Sequence, residues 1–221
     1  MDIYEAIRQR HSVRSYQDKP IPDDVAKALE SFIVQCNRES GLHIQLVRDE
    51  RKAFDSFRAH YGRFSGVSNY IALIGPDNAQ LDEKCGYYGE KVVLEAQRLG
   101  LNTCWVALTY KKVPDAYVVF EGEKLDLVIS LGYGNTQGVQ HRSKSESDVS
   151  NVNQDSPKWF KDGVRAALLA PTAINQQKFY FELSGDKVIA KSGLGPCSKI
   201  DLGIVKCHFE IGSGKGPEIW K

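Results

Sequence analysis

Four residues near the start of the chain have the types and spacing of a phosphate site. They are Arg10, His11, Ser12 and Arg14, in the stretch RHSVR. An arginine guanidinium can bind a phosphate through two parallel charge-assisted hydrogen bonds, and a hydroxyl between two arginines suits the same ligand. The alternative is a solvated basic helix end that interacts with its own macrodipole. For so short a motif taken alone, this alternative is the stronger, because short motifs often match by chance.

A second pair of cations, Arg142 and Lys144, follows the stretch LGYGNTQGVQH, which begins at the end of a predicted strand. If the sheet brings this pair beside residues 10–14, up to four cations would surround one dianionic group. By itself the pair favours the simpler interpretation, a solvated run of charge.

A loop of small and amide residues, APTAINQQ at 170–177, lies between a predicted helix and a predicted strand. A helix-to-strand turn would account for Pro171 and Thr172, since such residues are common in turns for local reasons. It does not account for two adjacent glutamines that lead directly into the strand. The sequence pattern alone leaves open what this loop holds.

Several motifs of other functional classes are excluded. The turn GYGNTQG is not a G-x-G-x-x-G followed by a helix and a ribose-binding acid, and GSGKG lacks the spacing of a P-loop. The five histidines show no metal-ligand spacing, so we predict no metal site. No serine or cysteine stands in a nucleophile motif, which leaves hydrolase chemistry without a candidate triad.

The composition of the chain is typical of a soluble globular protein. Of its 221 residues, 42% are hydrophobic and 26% are charged, and a formal net charge of +1 gives no overall field that would favour nucleic acid. The five cysteines are widely spread without a C-x-x-C pair, which favours a reduced, cytoplasmic protein. We expect no signal peptide and no membrane association, because no apolar stretch approaches the roughly 18–20 residues of a membrane span.

Hydrophobic periodicity and turn residues predict an alternation of helices and strands. The predicted helices lie at MDIYEAIRQR, from Pro22 to about Arg38, around RKAFDSFRAHY, over residues 82–99 with Gly100 as the C-terminal cap, from Ser156 as N-cap and Pro157 to before Pro171, and over DLGIVKCHFEIG with Gly212 as the cap. The predicted strands are LHIQLVRD, NYIALIG, LNTCWVAL and KLDLVISLGYG, followed by a hairpin of KFYFEL and KVIA.

The second part of the chain echoes the first. EKVVLEAQRLG resembles LGIVKCHFEIG, and a helix, a polar loop and an alternating strand occur in the same order in both parts. We therefore predict a duplicated architecture that forms one compact domain. Residues 1–140 are its first half, the polar stretch 141–156 is a linker, and residues 157–221 are a shorter second half.

Together, RHSVRSY, EKVVLEAQRLGLNTCWVAL, the GYG turn with HRSK, and APTAINQQ resemble the nitroreductase family of flavin enzymes. The resemblance spans most of the chain, and the order of the segments makes it specific. It implies an α+β fold with three α/β/α layers, whose central sheet is mixed but mainly antiparallel, here internally duplicated.

The resemblance also implies which residues bind the cofactor FMN. The FMN phosphate would be held by Arg10, His11, Ser12, Arg14, Arg142 and Lys144, the reactive edge of the flavin would run along Val106, Ala107 and Leu108, and the ring would meet Pro171, Thr172, Ala173, Asn175 and Gln176. Tyr61 and Arg63 are candidates for the same pocket, with core packing or a surface role as equal alternatives.

One departure from the family pattern concerns where the loop lies. Family members usually carry Ala-Pro-Ser-Ala-x-Asn-x-Gln in the first half and form homodimers in which that loop reaches the partner's flavin. Here the first-half stretch IVQCNRESG lacks the pattern, and the second half lacks a counterpart of RHSVR. This suggests a subgroup with two nitroreductase-like halves in one chain. We expect such an intrachain pseudo-dimer to be a monomer that binds one FMN.

The implied activity is the transfer of hydride from NADH or NADPH, through FMN, to an oxidised small-molecule acceptor such as a nitroaromatic or a quinone, in ping-pong exchange. Because flavin N5 would carry the hydride, no catalytic side chain is predicted. Two alternatives stay open. One is an FMN-binding protein without efficient turnover, which would be yellow but slow to bleach. The other is a structural or interaction module that takes up no FMN.

Overall fold

The computed structural model describes residues 1–221, apart from the side chain of Arg58. The chain forms two units. We call Gln9–Leu81 with Lys91–Val139 the sheet unit, and Met1–Arg8, Asp82–Glu90 and Gln140–Lys221 the hairpin unit. In chain order the helices and strands are α1 (Ile3–Gln9), α2 (Asp23–Ser40), β1 (Gln45–Val47), α3 (Phe57–Tyr61), β2 (Asn69–Pro76), α4 (Leu81–Arg98), β3 (Asn102–Val106), β4 (Glu123–Gly132), α5 (Lys158–Ala167), β5 (Phe179–Ser184), β6 (Lys187–Ser192) and α6 (Ser198–Ser213).

The sheet unit contains a four-stranded antiparallel sheet in the order β1-β2-β4-β3. The two central strands are buried along most of their length, as their near-continuous apolar sequences predict. Ile71 lies opposite Ile129 and Ala72 opposite Val128, with a register shift after Leu73. The predicted α+β class with a mainly antiparallel sheet is therefore confirmed, and β3 is left as an edge strand.

The hairpin unit combines α5 and α6 with the β5-β6 hairpin, which turns at Gly185 and Asp186 as the sequence predicts. Its core is aromatic: the rings of Phe160 and Phe181 both pack against that of Phe209, with centroids 5.7 and 4.8 Å away. Such offset and edge-on ring contacts add to the free energy gained by burying the rings.

Within the hairpin unit, the first part of α4 (Asp82–Glu90) crosses α6 in close contact at a pair of glycines. A Cβ on Gly86 would lie 2.0 Å from the carbonyl oxygen of Ile200, and one on Gly203 would lie 2.0 Å from that of Glu83. Each glycine thus faces the carbonyl oxygen of the residue three positions before the other glycine. Such a reciprocal contact is what a local two-fold axis produces. The duplication of the chain, and its division at residues 140 and 156, stay predictions.

The sequence predicted most elements but misplaced some of their ends. Helix α6 continues through Gly212 and ends at Ser213, with Gly214, whose φ is 66°, as its C-cap. Gly212 is needed inside the helix, because a Cβ there would lie 2.3 Å from Cβ of Ala166 on α5. Helix α5 begins one residue later than predicted, with Pro157 as its N-cap, and the Ser156 hydroxyl instead accepts a hydrogen bond from the Asn153 N–H at 3.0 Å. The helix expected around RKAFDSFRAHY is confined to α3.

Among the described residues, no helix has both the length and the apolar character needed to cross a membrane.

Candidate functional site

The predicted phosphate-binding stretch lies along the open edge of the sheet unit. Ser12 forms a single parallel bridge to Thr103 of β3, and the Val13 N–H donates to the Thr103 carbonyl oxygen at 3.0 Å. An edge strand offers unpaired backbone groups to a neighbouring segment, and this segment uses them. The stretch RHSVR is therefore fixed against β3 and is not a free helix end, since α1 already ends at Gln9.

Tyr16 anchors the end of this stretch in the core of the sheet unit. Its hydroxyl donates to the Val13 carbonyl oxygen at 2.7 Å and lies 2.8 Å from Oγ of Ser130 on β4. Burial raises the pKa of Tyr16 well above its ordinary value, so the hydroxyl keeps its proton. At Gly66, whose φ is 70°, a Cβ would lie 2.3 Å from the carbonyl oxygen of Tyr16, so the backbone there has room for glycine alone.

Three of the predicted phosphate ligands influence one buried group of β3, the thiol of Cys104. Burial raises the pKa of this thiol, whereas the charge of Arg14, a hydrogen bond from Ser12 and the charge of Arg10 lower it. Arg10 is buried and Arg14 is exposed. The segment thus lies against β3 at Thr103, and both guanidinium charges and the Ser12 hydroxyl act on the neighbouring thiol. His11 is half-buried, and a Cβ on Gly138 would lie 2.7 Å from Cβ of His11.

The backbone predicted to follow the flavin edge lies at the other end of β3. Val106 is the buried last residue of the strand, and Ala107 and Leu108 follow it in an exposed bend that lines an open cavity of about 660 Å³. Thr103 and Ala107 are about 13 Å apart along an extended chain that rises ~3.3 Å per residue. An elongated ligand with an anionic end and a planar end could therefore lie along this strand.

In the hairpin unit, the second cation pair and the APTAINQQ loop are joined by Gln177. Its side-chain oxygen accepts the Lys144 N–H at 2.9 Å, and its side-chain nitrogen donates to the Arg142 carbonyl oxygen and to Oδ1 of Asn175, both at 2.8 Å. Lys144 Nζ donates to the Gln177 carbonyl oxygen at 2.9 Å, and Asn175 Nδ2 donates to that of Arg142 at 2.9 Å. Both predicted segments are thus fixed together, with the Arg142 side chain exposed.

Gln177 is a site-organising residue that the sequence analysis missed. Two adjacent glutamines stand in the loop, and the family resemblance implies a ligand contact only for the first of them, Gln176. The signal that could have identified the second is its place directly before the strand β5, where a polar side chain can turn back into the loop. Gln177 is buried, so its three side-chain hydrogen bonds are shielded from water.

We expect Gln177→Ala to lower the free energy of unfolding by about 2–4 kcal/mol, because it removes three side-chain hydrogen bonds and leaves buried partners unsatisfied. Alanine keeps the same backbone strain at φ 45°, so the change reports on the side chain alone. Urea denaturation measures the effect. The matched control is Gln140→Ala, which removes an exposed glutamine and should change the free energy by less than about 0.5 kcal/mol. Equal effects of the two changes would contradict the anchoring role.

The backbone of the loop is strained at several positions. Ile174, Asn175 and Gln177 have φ values of 47°, 54° and 45°, a region that costs roughly 1–2 kcal/mol for residues other than glycine. For a β-branched residue such as Ile174 this conformation is an outlier, and its side chain is 87% exposed. Such strain persists only where surrounding contacts impose it, and it concentrates at functional sites.

A buried carboxylate, Asp201 in the first turn of α6, fixes the other side of the loop. It accepts hydrogen bonds from the Ala173 N–H at 2.9 Å and from Nε2 of Gln176 at 2.7 Å. Gln176 Nε2 also donates to the Pro196 carbonyl oxygen at 2.8 Å, so its amide nitrogen is engaged within the hairpin unit. Pro171 is buried, and Thr172 and Ala173 are half-buried.

The raised pKa of Asp201 gives a pH-dependent prediction. Burial raises the pKa above its ordinary value of 3.8, and the hydrogen bonds from Gln176 and Ala173 only partly oppose this. Between the two pKa values the folded state binds more protons than the unfolded state, so stability from this group falls as pH rises through the folded pKa. The difference in unfolding free energy, wild type minus Asp201→Asn, should therefore fall as pH rises from about 4 to 7.

Urea denaturation at a series of pH values measures this difference. Asp155→Asn, which removes an exposed carboxylate of the same unit, gives the background for losing one negative charge. A difference that rises with pH would contradict the predicted sign.

Two further pocket candidates flank Gly62, where a Cβ would lie 2.7 Å from Cβ of Thr109. Tyr61 is 81% exposed at the end of α3, and Arg63 adopts a positive φ of 63° just after it. Among the described side chains, neither lines the cavity beside Leu108. In the described part of the chain, no cluster of three or more histidine, cysteine, aspartate or glutamate side chains could hold a metal ion.

Comparisons with known proteins agree with this architecture. A family model described as "Putative TM nitroreductase" matches residues 2–213. A solved "putative nitroreductase" from Thermotoga maritima has a TM-score of 0.69 and 23% identity, over 96% of this chain and 83% of that one. A "putative nitroreductase in complex with FMN" from Desulfovibrio desulfuricans has a TM-score of 0.53 and 17% identity, over 71% of this chain and 99% of that one.

A third solved structure, a "putative NADH oxidase" from Clostridium acetobutylicum, has a TM-score of 0.51 and 17% identity, over 69% of this chain and 99% of that one. No curated protein sequence matches the chain significantly. The structural likenesses confirm the predicted fold.

Proposed function

This chain belongs to the nitroreductase family, and we propose that it is an FMN-dependent oxidoreductase. The observation that carries the proposal is the arrangement along β3 in the sheet unit. The stretch that carries Arg10, Ser12 and Arg14 pairs with the strand at Thr103, near its start, and Leu108 lines an open cavity just beyond its end. A flavin mononucleotide has an anionic phosphate at one end and a planar ring system at the other, which suits this order of groups.

The donor set near the start of β3 fits a phosphate. Two guanidiniums can give several charge-assisted hydrogen bonds, and the Ser12 hydroxyl gives another. We assign the FMN phosphate to Arg10, Ser12 and Arg14, with His11 beside them. The solved relative from Desulfovibrio desulfuricans is in complex with FMN, which supports the choice of this flavin.

The remaining predicted residues complete the proposal. Arg142 and Lys144 are proposed as further phosphate ligands, and the loop at 171–176 as a contact of the flavin ring. For the loop, the side chain of Asn175 is exposed, whereas that of Gln176 is engaged with Asp201. We propose one FMN per chain in a monomeric, cytoplasmic protein.

When bound, FMN would supply the redox chemistry: it would accept hydride from NADH or NADPH and pass it to an oxidised acceptor such as a nitroaromatic or a quinone. The protein's own part is to hold the phosphate, to present the backbone of residues 106–108 to the ring, and to leave the cavity beyond Leu108 open to the second substrate. Backbone N–H groups of Ala107 and Leu108 can donate hydrogen bonds to the flavin and so adjust its potential. No side chain is required as a proton-transfer catalyst.

The test is to purify the protein, release any chromophore by heat, identify it, and follow its bleaching by NADH and by NADPH without oxygen. We expect FMN, bleaching by at least one donor, and recovery of the colour when a nitroaromatic or a quinone is added. A yellow protein that neither donor bleaches would be an FMN-binding protein without turnover. A colourless protein that FMN fails to stabilise would contradict the proposal.

A further inference from the structure

The cavity beyond the end of β3 has an apolar wall. Phe57 of α3 and Leu108 line it, and their side chains are 86% and 81% exposed. Large apolar side chains this exposed around a concave surface are typical of a ligand site. Tyr110 adds an aromatic ring with a hydroxyl, and burial raises its pKa to about 12, so the hydroxyl stays a hydrogen-bond donor at neutral pH. The cavity therefore suits an aromatic molecule with a polar substituent.

The same cavity carries positive charge. Lys111 and Lys112 both line it and are exposed, and within the described side chains neither forms a salt bridge. Asp126 also lines it, with one carboxylate oxygen buried. Two ammonium groups against one carboxylate leave the wall net positive, and a charge in a low-dielectric cleft acts more strongly than one on an open surface.

We propose that this cavity is the acceptor site and that it selects aromatic acceptors bearing a negative charge, such as nitroaromatic carboxylates. This inference rests on the proposed function and names the substrate class of that site. The ring packs against Phe57 and Leu108, and the anionic substituent lies near Lys111 and Lys112. The reducible group is then directed towards the backbone of Ala107 and Leu108, which we assign to the reactive edge of the flavin.

The reaction balances with the reactants already named. Reduction of a nitro group to a nitroso group takes two electrons and two protons, breaks one N–O bond and releases one water. One hydride from NADH or NADPH, passed on through the flavin, supplies both electrons and one proton, and solvent supplies the other proton. No side chain of the cavity changes its redox state.

The experiment compares acceptors of matched size and different charge. With the FMN-loaded protein and NADH, kcat/KM is measured for 4-nitrobenzoate, neutral nitrobenzene and the cation (4-nitrobenzyl)trimethylammonium. The same acceptors are then tested on Lys111→Gln/Lys112→Gln and on the control Lys27→Gln/Lys199→Gln. The control makes the same change in net charge at two exposed lysines that line none of the described cavities.

We expect the ratio of kcat/KM for 4-nitrobenzoate to that for nitrobenzene to fall about three- to tenfold in Lys111→Gln/Lys112→Gln, since two attractive charges are removed at once, and to stay constant in the control. For the cation the ratio should rise. In the wild type, raising the ionic strength from about 0.05 M to about 0.5 M should lower the preference for the anion, and the variant should lack this salt dependence.

The two steps of the reaction separate the possible sources of a negative charge. If the lysines instead bind the 2′-phosphate of NADPH, the variant will slow flavin reduction by NADPH relative to NADH and leave the acceptor ratio unchanged. That result overturns the inference, and so does an acceptor ratio that is unchanged with both donors. In either case, continued turnover of nitrobenzene leaves the proposed function standing. A protein that binds no FMN overturns both.

Discussion

Replacing Arg14 by alanine is expected to weaken FMN binding about 10- to 150-fold, because a hydrogen bond to a charged group contributes roughly 1.5–3 kcal/mol. Arg14 is exposed and Arg10 is buried, so Arg14 can be removed with less risk to folding. Its guanidinium carbon lies 5.9 Å from the centre of the Phe64 ring, a cation–π contact within the sheet unit. Titration of the apoprotein with FMN, followed by flavin fluorescence, measures the change.

Riboflavin provides the matched ligand for this experiment, since it carries the same ring system without the phosphate. Arg14→Ala should leave the affinity for riboflavin unchanged, whereas a general loss of structure would weaken both ligands. Arg38→Ala, which removes an exposed arginine of α2, is the matched variant and should alter neither affinity. If Arg14→Ala binds FMN as tightly as the wild type does, the phosphate is not held at this end of β3.

Replacing Gly203 by alanine is expected to lower the free energy of unfolding by about 1–3 kcal/mol or more, because the added Cβ overpacks the crossing of α4 and α6. The Cβ would lie 2.0 Å from the Glu83 carbonyl oxygen and 2.6 Å from the Tyr87 backbone nitrogen, so backbone must move. In a helix with free space, the same change would instead stabilise by about 0.5–1 kcal/mol. The sign of the effect therefore reports the close contact, and urea denaturation measures it.

A double-mutant cycle makes this prediction sharper. Gly86→Ala and Gly203→Ala act on the same contact, so once one has pushed the helices apart the second should cost less, and the double variant should lose less than the sum of the two. Gly41→Ala is the control: it places a Cβ in open space at φ 71° on the other unit, and its cost should add to that of Gly203→Ala. Additive costs for Gly86 and Gly203, or a net stabilisation, would contradict the close crossing.

Elements were predictable because their signals are local. The continuous apolar run NYIALIG gave a central strand, and Gly100 after α4 adopts the predicted left-handed conformation with φ 81°. The ends were less predictable where packing between elements decides them. Gly212 has the sequence position of a helix cap, but its missing Cβ is used for contact with α5, and the cap moves to Gly214.

The chemistry of the candidate site was partly visible in the sequence. Residue types made RHSVR a candidate phosphate motif, because guanidiniums and a hydroxyl are the groups such a ligand needs. The same letters also fitted a solvated helix end, and spacing alone favoured that interpretation. The structure fixes this segment against β3 through the pairing of Ser12 with Thr103, and strand pairing of residues some 90 positions apart has no local signal.

The sequence by itself therefore determined the family of this protein, its α+β class and the residue types that the site can draw upon, since periodicity, turn residues and short motifs are properties of neighbouring positions. Only the tertiary structure decided how those residues are used. Gln177 holds the loop, Gln176 turns to Asp201, and Lys111 and Lys112 share a cavity with Leu108. These roles depend on backbone angles and on contacts between distant segments, which form only when the chain packs.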